Sequence, residues 1–249
     1  MMQEELFRYI LLGFAILLGW LAGNGSVFLF NKLPGKWLTD YGKTPLEEVV
    51  RPTRQRIEST PWKLVFSMFF IAAGIWIAEK LWHSPLAFWS MAALLIAYII
   101  VMWLLLLIGI ADGKYGIIPD ELIFVLAIAA IGFVPYKESF LDPLFGALIG
   151  GGAMLIIGLL SRAITRKPSL GMGDMKLFLA IGLLMGPKET VAILIVTAIS
   201  SAIGFSAGLL IGSIKRGDAV ALGPYIVGAS YLVILFDGIS EFIFGGLLG

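Results

Sequence analysis

Long apolar stretches separated by short polar segments dominate this sequence. A membrane-spanning helix needs about 20 mainly apolar residues. By that measure, eight stretches are predicted spans: 7–30, 63–82, 86–111, 121–135, 143–163, 174–187, 189–214 and 223–247. The fourth and sixth are short, which indicates tilting, a break or shielding by neighbouring helices. The pattern predicts an all-α fold: a polytopic membrane helix bundle with about eight transmembrane helices.

Composition agrees with a chain that is surrounded by lipid. Of the 249 residues, 59% are hydrophobic and 14% are charged, against roughly 45–50% and about 25% in soluble domains. The bilayer is therefore an expected partner. The formal net charge of +1 gives no reason to expect nucleic acid binding.

Lysine and arginine predict the orientation of the spans. If the loop 31–62 is cytoplasmic and the helices alternate, 14 of the 18 Lys and Arg residues lie inside and 4 lie outside. Both termini are then predicted outside. The expected organisation is a first transmembrane helix (1–30), a cytoplasmic insert (31–62) and a transmembrane core (63–249). The insert is either a platform for a partner or second activity, or a basic loop that fixes topology.

Two aspartates stand out as candidate chemical groups. Asp112 follows the apolar run 104–111, and Asp174 precedes the run 175–185. The two predicted spans between them return the chain to the side it left, so both acids are expected at the cytoplasmic ends of their helices.

Two such acids in one low-dielectric site share a proton. One takes a proton from water while the other donates to a carbonyl oxygen, which is aspartic protease chemistry. Gly171 and Gly173 permit close backbone approach and positive φ just ahead of Asp174. The alternative for each acid alone is a helix cap or an interfacial residue.

The residues around both acids carry a family resemblance. Asp112 lies seven residues before Pro119, which Asp120 follows. Three further stretches match: Gly171-Met172-Gly173-Asp174-Met175-Lys176-Leu177 with Ala180-Ile181-Gly182, Lys32-Leu33-Pro34, and Ala221-Leu222-Gly223-Pro224-Tyr225. Together they resemble the bacterial type IV prepilin leader peptidases, membrane aspartic proteases of the GxGD type.

That resemblance implies an aspartic endopeptidase of the bacterial cytoplasmic (inner) membrane. Its catalytic pair is Asp112 and Asp174, and its motif or substrate-approach residues are Gly171, Gly173, Lys176, Pro119, Asp120, Gly223 and Pro224. The implied substrate is a prepilin or pseudopilin with a short basic leader, cut after a Gly at the cytoplasmic face, and with an apolar helix in the bilayer. Asp120 and Glu121 either contact the leader or simply start a helix.

The first cytoplasmic loop departs from the family pattern. Many bacterial members carry two Cys-x-x-Cys pairs there, bind zinc, and N-methylate the new pilin terminus with S-adenosylmethionine. This chain has no cysteine and one histidine, so no zinc or other metal site is expected. The peptidase itself needs no cofactor, and S-adenosylmethionine is expected only if methyltransferase activity is retained.

Two other functional classes remain open from the residues alone. Paired membrane carboxylates also serve proton-coupled transporters, although here both acids lie at one face and no inverted repeat with broken helices is visible. The third reading is a membrane scaffold that keeps the peptidase fold without catalysis.

Overall fold

Nine α-helices make up most of the part of the chain that is described, residues 2–39, 55–137, 139–165, 171–215, 220–236 and 238–248 of a computed structural model. They are α1 (Met2–Lys32), α2 (Trp62–Trp82), α3 (Phe88–Tyr115), α4 (Asp120–Ile131), α5 (Asp142–Thr165), α6 (Met172–Met185), α7 (Pro187–Ile211), α8 (Gly223–Leu235) and α9 (Gly238–Leu248). Two short 3-10 helices, Gly35–Leu38 and Val134–Tyr136, accompany them. These ranges contain no strand, which confirms the predicted polytopic helical bundle.

The helices fall on the predicted apolar stretches, but their lengths differ from a set of eight full spans. Within the described residues, five helices (α1, α2, α3, α5 and α7) are long and apolar enough to cross a membrane. The count rises to six if α8 and α9, which meet at a bend of 96°, form one broken span. The span predicted over 223–247 therefore consists of two helices, and the count of eight spans is not confirmed.

α4 and α6 are the two short helices that the sequence pointed out. They have 12 and 14 residues, or about 18 and 21 Å at 1.5 Å per residue, against a hydrocarbon core of about 30 Å. Half of the α6 side chains are buried, including Leu177, Phe178, Ile181 and Leu184. Shielding by protein thus allows α6 to be shorter than a lipid-exposed span.

The chain divides into two compact units, residues 1–107 and 108–249. In the first unit, α1 and α2 pack closely because Gly19 and Gly23 lie on one face of α1. A Cβ on Gly19 would lie 2.6 Å from the backbone oxygen of Phe70, and one on Gly23 would meet the backbone of Ser67. Backbones this close leave no room for side chains at either glycine.

The end of the predicted insert, residues 55–61, is attached to the C-terminal end of α1. Asn31 donates from Nδ2 to the Ile57 carbonyl and accepts from the Ile57 N–H, each at 3.0 Å. The buried Arg56 guanidinium donates to the Phe30 carbonyl at 3.3 Å. Residues 40–54 of the insert lie outside the described residues, and the predicted boundaries at 30 and 62 stay a prediction.

In the second unit, α5 packs against α6 through glycine. A Cβ on Gly146 would meet the Gly182 carbonyl, and one on Gly150 would meet the Phe178 carbonyl. Gly146 and Gly150 therefore bring the two helices into backbone contact. α6 continues directly into α7 through Gly186, whose φ of 91° favours glycine.

Candidate active site

Asp112 lies in the last turn of α3 and is buried, with 6% of its surface exposed. Its Oδ2 accepts a hydrogen bond of 2.7 Å from the backbone N–H of Gly223, the first residue of α8. A buried carboxylate is costly without such a donor. The Gly223 amide therefore satisfies one of the two oxygens of Asp112.

Glycines on α3 bring α8 close enough for this bond. A Cβ on Gly109 would lie 3.2 Å from Val227, and one on Gly113 would lie 3.2 Å from Pro224. A Cβ on Gly223 itself would lie only 2.6 Å from the Asp112 Oδ2. The carboxylate thus sits where two helices cross with little side-chain volume between them.

Asp174 occupies the first turn of α6, where Gly171 is the N-cap residue. The backbone N–H of Gly171 donates to the Asp174 carboxylate. Asp174 thus accepts from the N-cap residue in the way that the N3 side chain of a capping box does. Asp174 is half-buried, whereas Gly171 is exposed. The helix-cap interpretation of Asp174 therefore describes its local geometry, and it leaves the carboxylate accessible from the helix end.

The start of α6 lies beside the segment that follows α3. A Cβ on Gly173 would contact Ile118 at 3.0 Å, so glycine permits the close approach predicted there. Ile118 belongs to the segment that directly follows α3, in whose last turn Asp112 lies. The two acids therefore lie at the same end of this unit.

Positive φ is used at a different glycine from those expected. Gly171 has φ of −71°, and neither it nor Gly173 is among the positive-φ glycines of the described residues, so that part of the prediction is wrong. Gly116, with φ of 64°, takes that conformation instead. Its N–H donates to the Asp112 carbonyl at 2.8 Å. This bond ends α3 directly after the acid.

The other motif residues surround the pair. Pro119 is buried and is the N-cap residue of α4, where its missing N–H costs nothing. Lys176 Nζ lies 2.6 Å from the Asp120 Oδ2, in a pair with side chains 42% and 62% exposed. This pair links the first turns of α4 and α6, while Glu121 is exposed beside it.

Two features of the site escaped the sequence analysis. The spacing Gly109-x-x-x-Gly113 on either side of Asp112 was a readable signal for a close helix contact. Lys137, at the other end of α6, donates from Nζ to the Met185 carbonyl at 2.6 Å. No local pattern predicts that bond, because Lys137 lies between α4 and α5 whereas Met185 is the last residue of α6.

The side chains of the site offer acid–base chemistry. Across the described ranges, no group of three or more His, Asp or Glu residues is arranged to hold a metal ion. The cysteine ligands that many bacterial leader peptidases use for zinc have no counterpart in this sequence. A buried carboxylate with one oxygen engaged, at the same end of the unit as a half-buried carboxylate, offers groups that can take a proton from water or donate one.

Comparison with known proteins agrees with the motifs. The model of the Type IV leader peptidase family matches residues 99–209, a range that contains both aspartates. This match confirms the resemblance predicted from the sequence.

Individual relatives extend the match over more of the chain. A prepilin leader peptidase/N-methyltransferase of Stutzerimonas stutzeri is 25% identical over 170 residues, which cover 67% of this chain and 56% of the relative. The protein of the same name from Bacillus subtilis is 27% identical over 190 residues, covering 75% of this chain and 70% of the relative. That from Legionella pneumophila is 29% identical over 163 residues, covering 64% and 54%.

The chain thus spans only 56% of the length of the Stutzerimonas stutzeri relative. No solved structure matches it significantly.

Proposed function

We propose that this relative of the type IV leader peptidases is a membrane aspartic endopeptidase. In this proposal it removes the leader from prepilins or pseudopilins at the cytoplasmic face of the bacterial inner membrane. Asp112 and Asp174 together activate one water molecule. The reaction needs neither a metal ion nor an organic cofactor.

The observation that carries this proposal is the convergence of two acids from helices far apart in the sequence. Asp112 is buried and bonded to the start of α8, and Ile118, in the segment that follows α3, lies against Gly173 beside Asp174 at the start of α6. Burying a carboxylate for structural reasons alone is unfavourable. A second carboxylate nearby adds repulsion, and this combination is typical of catalytic sites.

In the proposed reaction one carboxylate of the pair takes a proton from water, and the resulting hydroxide bonds to the scissile carbonyl carbon. The other, protonated carboxylic acid donates its proton to the carbonyl oxygen. Collapse of the tetrahedral intermediate then breaks the C–N bond: the amine leaves with a proton from the first acid, and the second carboxylate takes back a proton from a hydroxyl of the intermediate as the C=O bond re-forms. Each group thereby changes its protonation state once in each half of the reaction.

The substrate would approach at the end of the unit that carries both acids. The exposed Asp120 and Glu121 supply negative charge there for a basic leader, although Asp120 also pairs with Lys176. The apolar helix of the substrate would lie in lipid. Outward-facing side chains such as Leu210 and Ile211, 89% and 82% exposed, suit the same environment.

Mass spectrometry of the substrate N-terminus tests the proposal. The purified chain is incubated with a prepilin in lipid or detergent, with and without a metal chelator. Asp112→Asn and Asp174→Asn should each lower the cleavage rate by about 100-fold or more, because each removes an acid–base group. Glu58→Gln, which changes an exposed carboxylate that has no role in this proposal, is the control and should cleave at close to the wild-type rate.

The same spectra report any methyl group added to the new N-terminus when S-adenosylmethionine is supplied. Cleavage by either Asn variant at the wild-type rate would overturn the assignment of the pair. A wild-type chain that cuts no prepilin or pseudopilin would overturn the proposed activity.

A further inference from the structure

The bond between Gly223 and Asp112 assigns a role to the start of α8. This inference rests on the proposed function, since it concerns how one acid of the pair is held. Three facts bear on it: the short hydrogen bond, the burial of both partners, and the lack of space at the Gly223 Cα.

The hydrogen bond joins parts of the chain that are 111 residues apart. Gly223 is buried, as is Asp112. Water therefore cannot replace the Gly223 N–H freely if that donor is lost. The amide consequently compensates for part of the desolvation cost of the buried Asp112 carboxylate.

The third fact is steric. A Cβ on Gly223 would lie 2.6, 2.8 and 3.0 Å from the Oδ2, Cβ and Cγ atoms of Asp112. Real Cβ atoms do not approach other heavy atoms this closely, so any side chain at this position displaces the carboxylate. Glycine is therefore required at position 223 because of the close contact with Asp112. Its backbone conformation is helical and would itself accept other residues.

We propose that Gly223 is a positioning residue for catalysis: its N–H holds Oδ2 of Asp112, so that Oδ1 carries out proton transfer with water. A carboxylate fixed through one oxygen presents the other in one orientation, which lowers the reorganisation needed during the reaction. The proposal gives Gly223, at the start of α8, a role in positioning a catalytic group and no role in binding the substrate.

An amide-to-ester replacement tests this role with almost no change in shape. Gly223 is replaced by glycolic acid through nonsense suppression in the full-length chain, which removes the N–H and adds no side chain. The same replacement at Gly228 is the control. Gly228 lies in the same helix with no neighbour within 4 Å of its Cβ position, and its N–H serves only the helical hydrogen-bond ladder.

We expect the ester at Gly223 to lower kcat for prepilin cleavage by about 10-fold or more while KM stays within about 2-fold, as for loss of a preorganised donor. The ester at Gly228 should leave both constants within about 2-fold. Gly223→Ala should lower kcat further, whereas Gly228→Ala should not. A purely structural role would instead reduce the folded fraction, measured by size-exclusion chromatography, with kcat per folded molecule unchanged.

Wild-type kcat in the Gly223 ester would overturn the positioning role while leaving the proposed peptidase intact. An equal loss of kcat in both esters would also overturn it, because the effect would then belong to helix stability. If the wild-type chain itself cuts no prepilin, the proposed function fails and the positioning role fails with it. These results are distinguishable in one set of assays.

Discussion

Individual charged residues near the site differ in how much they are expected to matter. Lys176 and Asp120 form a close pair, 2.6 Å apart, but both side chains are substantially exposed. Exposed ion pairs contribute little because water and salt screen them. The pair of Lys176 and Asp120 is therefore expected to contribute little to the stability of the fold.

Lys176→Met should change the free energy of unfolding by less than about 1 kcal/mol. The difference should become smaller in high salt. Chemical denaturation in detergent, followed by tryptophan fluorescence, measures it. A loss larger than about 3 kcal/mol, as for a buried pair deprived of one partner, would show that this link supports the fold.

Lys137 is a half-buried lysine that lies outside the predicted spans. It lies between α4 and α5 and donates to the Met185 carbonyl at the C-terminal end of α6. Burial lowers the pKa of Lys137, and the negative charges of Glu189 and Asp142 partly oppose that effect. Between this lowered pKa and the ordinary value of 10.5, the folded chain binds fewer protons at Lys137 than the unfolded chain does.

Stability contributed through Lys137 should therefore rise with pH across that window and stay constant below it. The thermal unfolding midpoint of the wild-type chain minus that of Lys137→Met, measured from neutral pH to pH 10.5, should show this rise. Lys188→Met, which changes an exposed lysine of α7, is the control and should lack it. A pH-independent difference between wild type and Lys137→Met would contradict the account of this lysine.

At the level of helices, contact between α5 and α6 determines where Asp174 is held. Gly146 meets the backbone at Gly182 and Gly186, whereas Gly152 on the same helix has no neighbour within 4 Å of its Cβ position. These two glycines therefore separate packing from helix propensity. Both are glycines of α5, and they differ only in how close other helices approach them.

Gly146→Ala should destabilise the fold by about 1–3 kcal/mol, the range for overpacking. Gly152→Ala should be neutral or stabilising by up to about 1 kcal/mol, because alanine favours helix. Thermal unfolding of both variants in the same detergent provides the comparison. Equal effects of the two substitutions would contradict the close helix contact.

The helices were largely predictable because each apolar stretch is visible without knowledge of its neighbours. Their roles in the bundle were less predictable. α6 looks like a short span in sequence, but its shielding comes from side chains of other helices. The break between α8 and α9 lies within the stretch 223–247, where Asp237 and Gly238 interrupt the apolar residues.

In the candidate site, too, single residues were predictable from the sequence, whereas contacts between distant residues were not. The sequence indicated Asp112, Asp174 and the Gly223-Pro224 turn as separate features. It did not indicate that Gly223 donates to Asp112, because that bond depends on how α3 and α8 cross. The Gly109-x-x-x-Gly113 spacing predicts a close contact but not its partner.

For the whole molecule, the surplus of lysine and arginine predicts that the insert 31–62 is cytoplasmic. The chain has no native cysteine, so single introduced cysteines can report sidedness without background. Lys36→Cys, in the insert, should be protected from a membrane-impermeant maleimide in intact cells. Ser139→Cys, between α4 and α5, should be labelled.

Permeabilised cells should label both variants and so control for accessibility, since both positions are exposed in the structure. Labelling of Lys36→Cys in intact cells would reverse the orientation. It would then place both acids at the outer face of the membrane, away from a cytoplasmic leader.

The central claim is that Asp112 and Asp174 act as one catalytic unit. Residues that work as a unit are strongly non-additive in their kinetic effects. The most direct measurement is therefore the residual rate of prepilin cleavage in Asp112→Asn, Asp174→Asn and the double variant, each normalised to folded protein. The account predicts that the double variant is no slower than the slower single variant. Losses that multiply in the double variant would show that the two acids act independently and would contradict the pair.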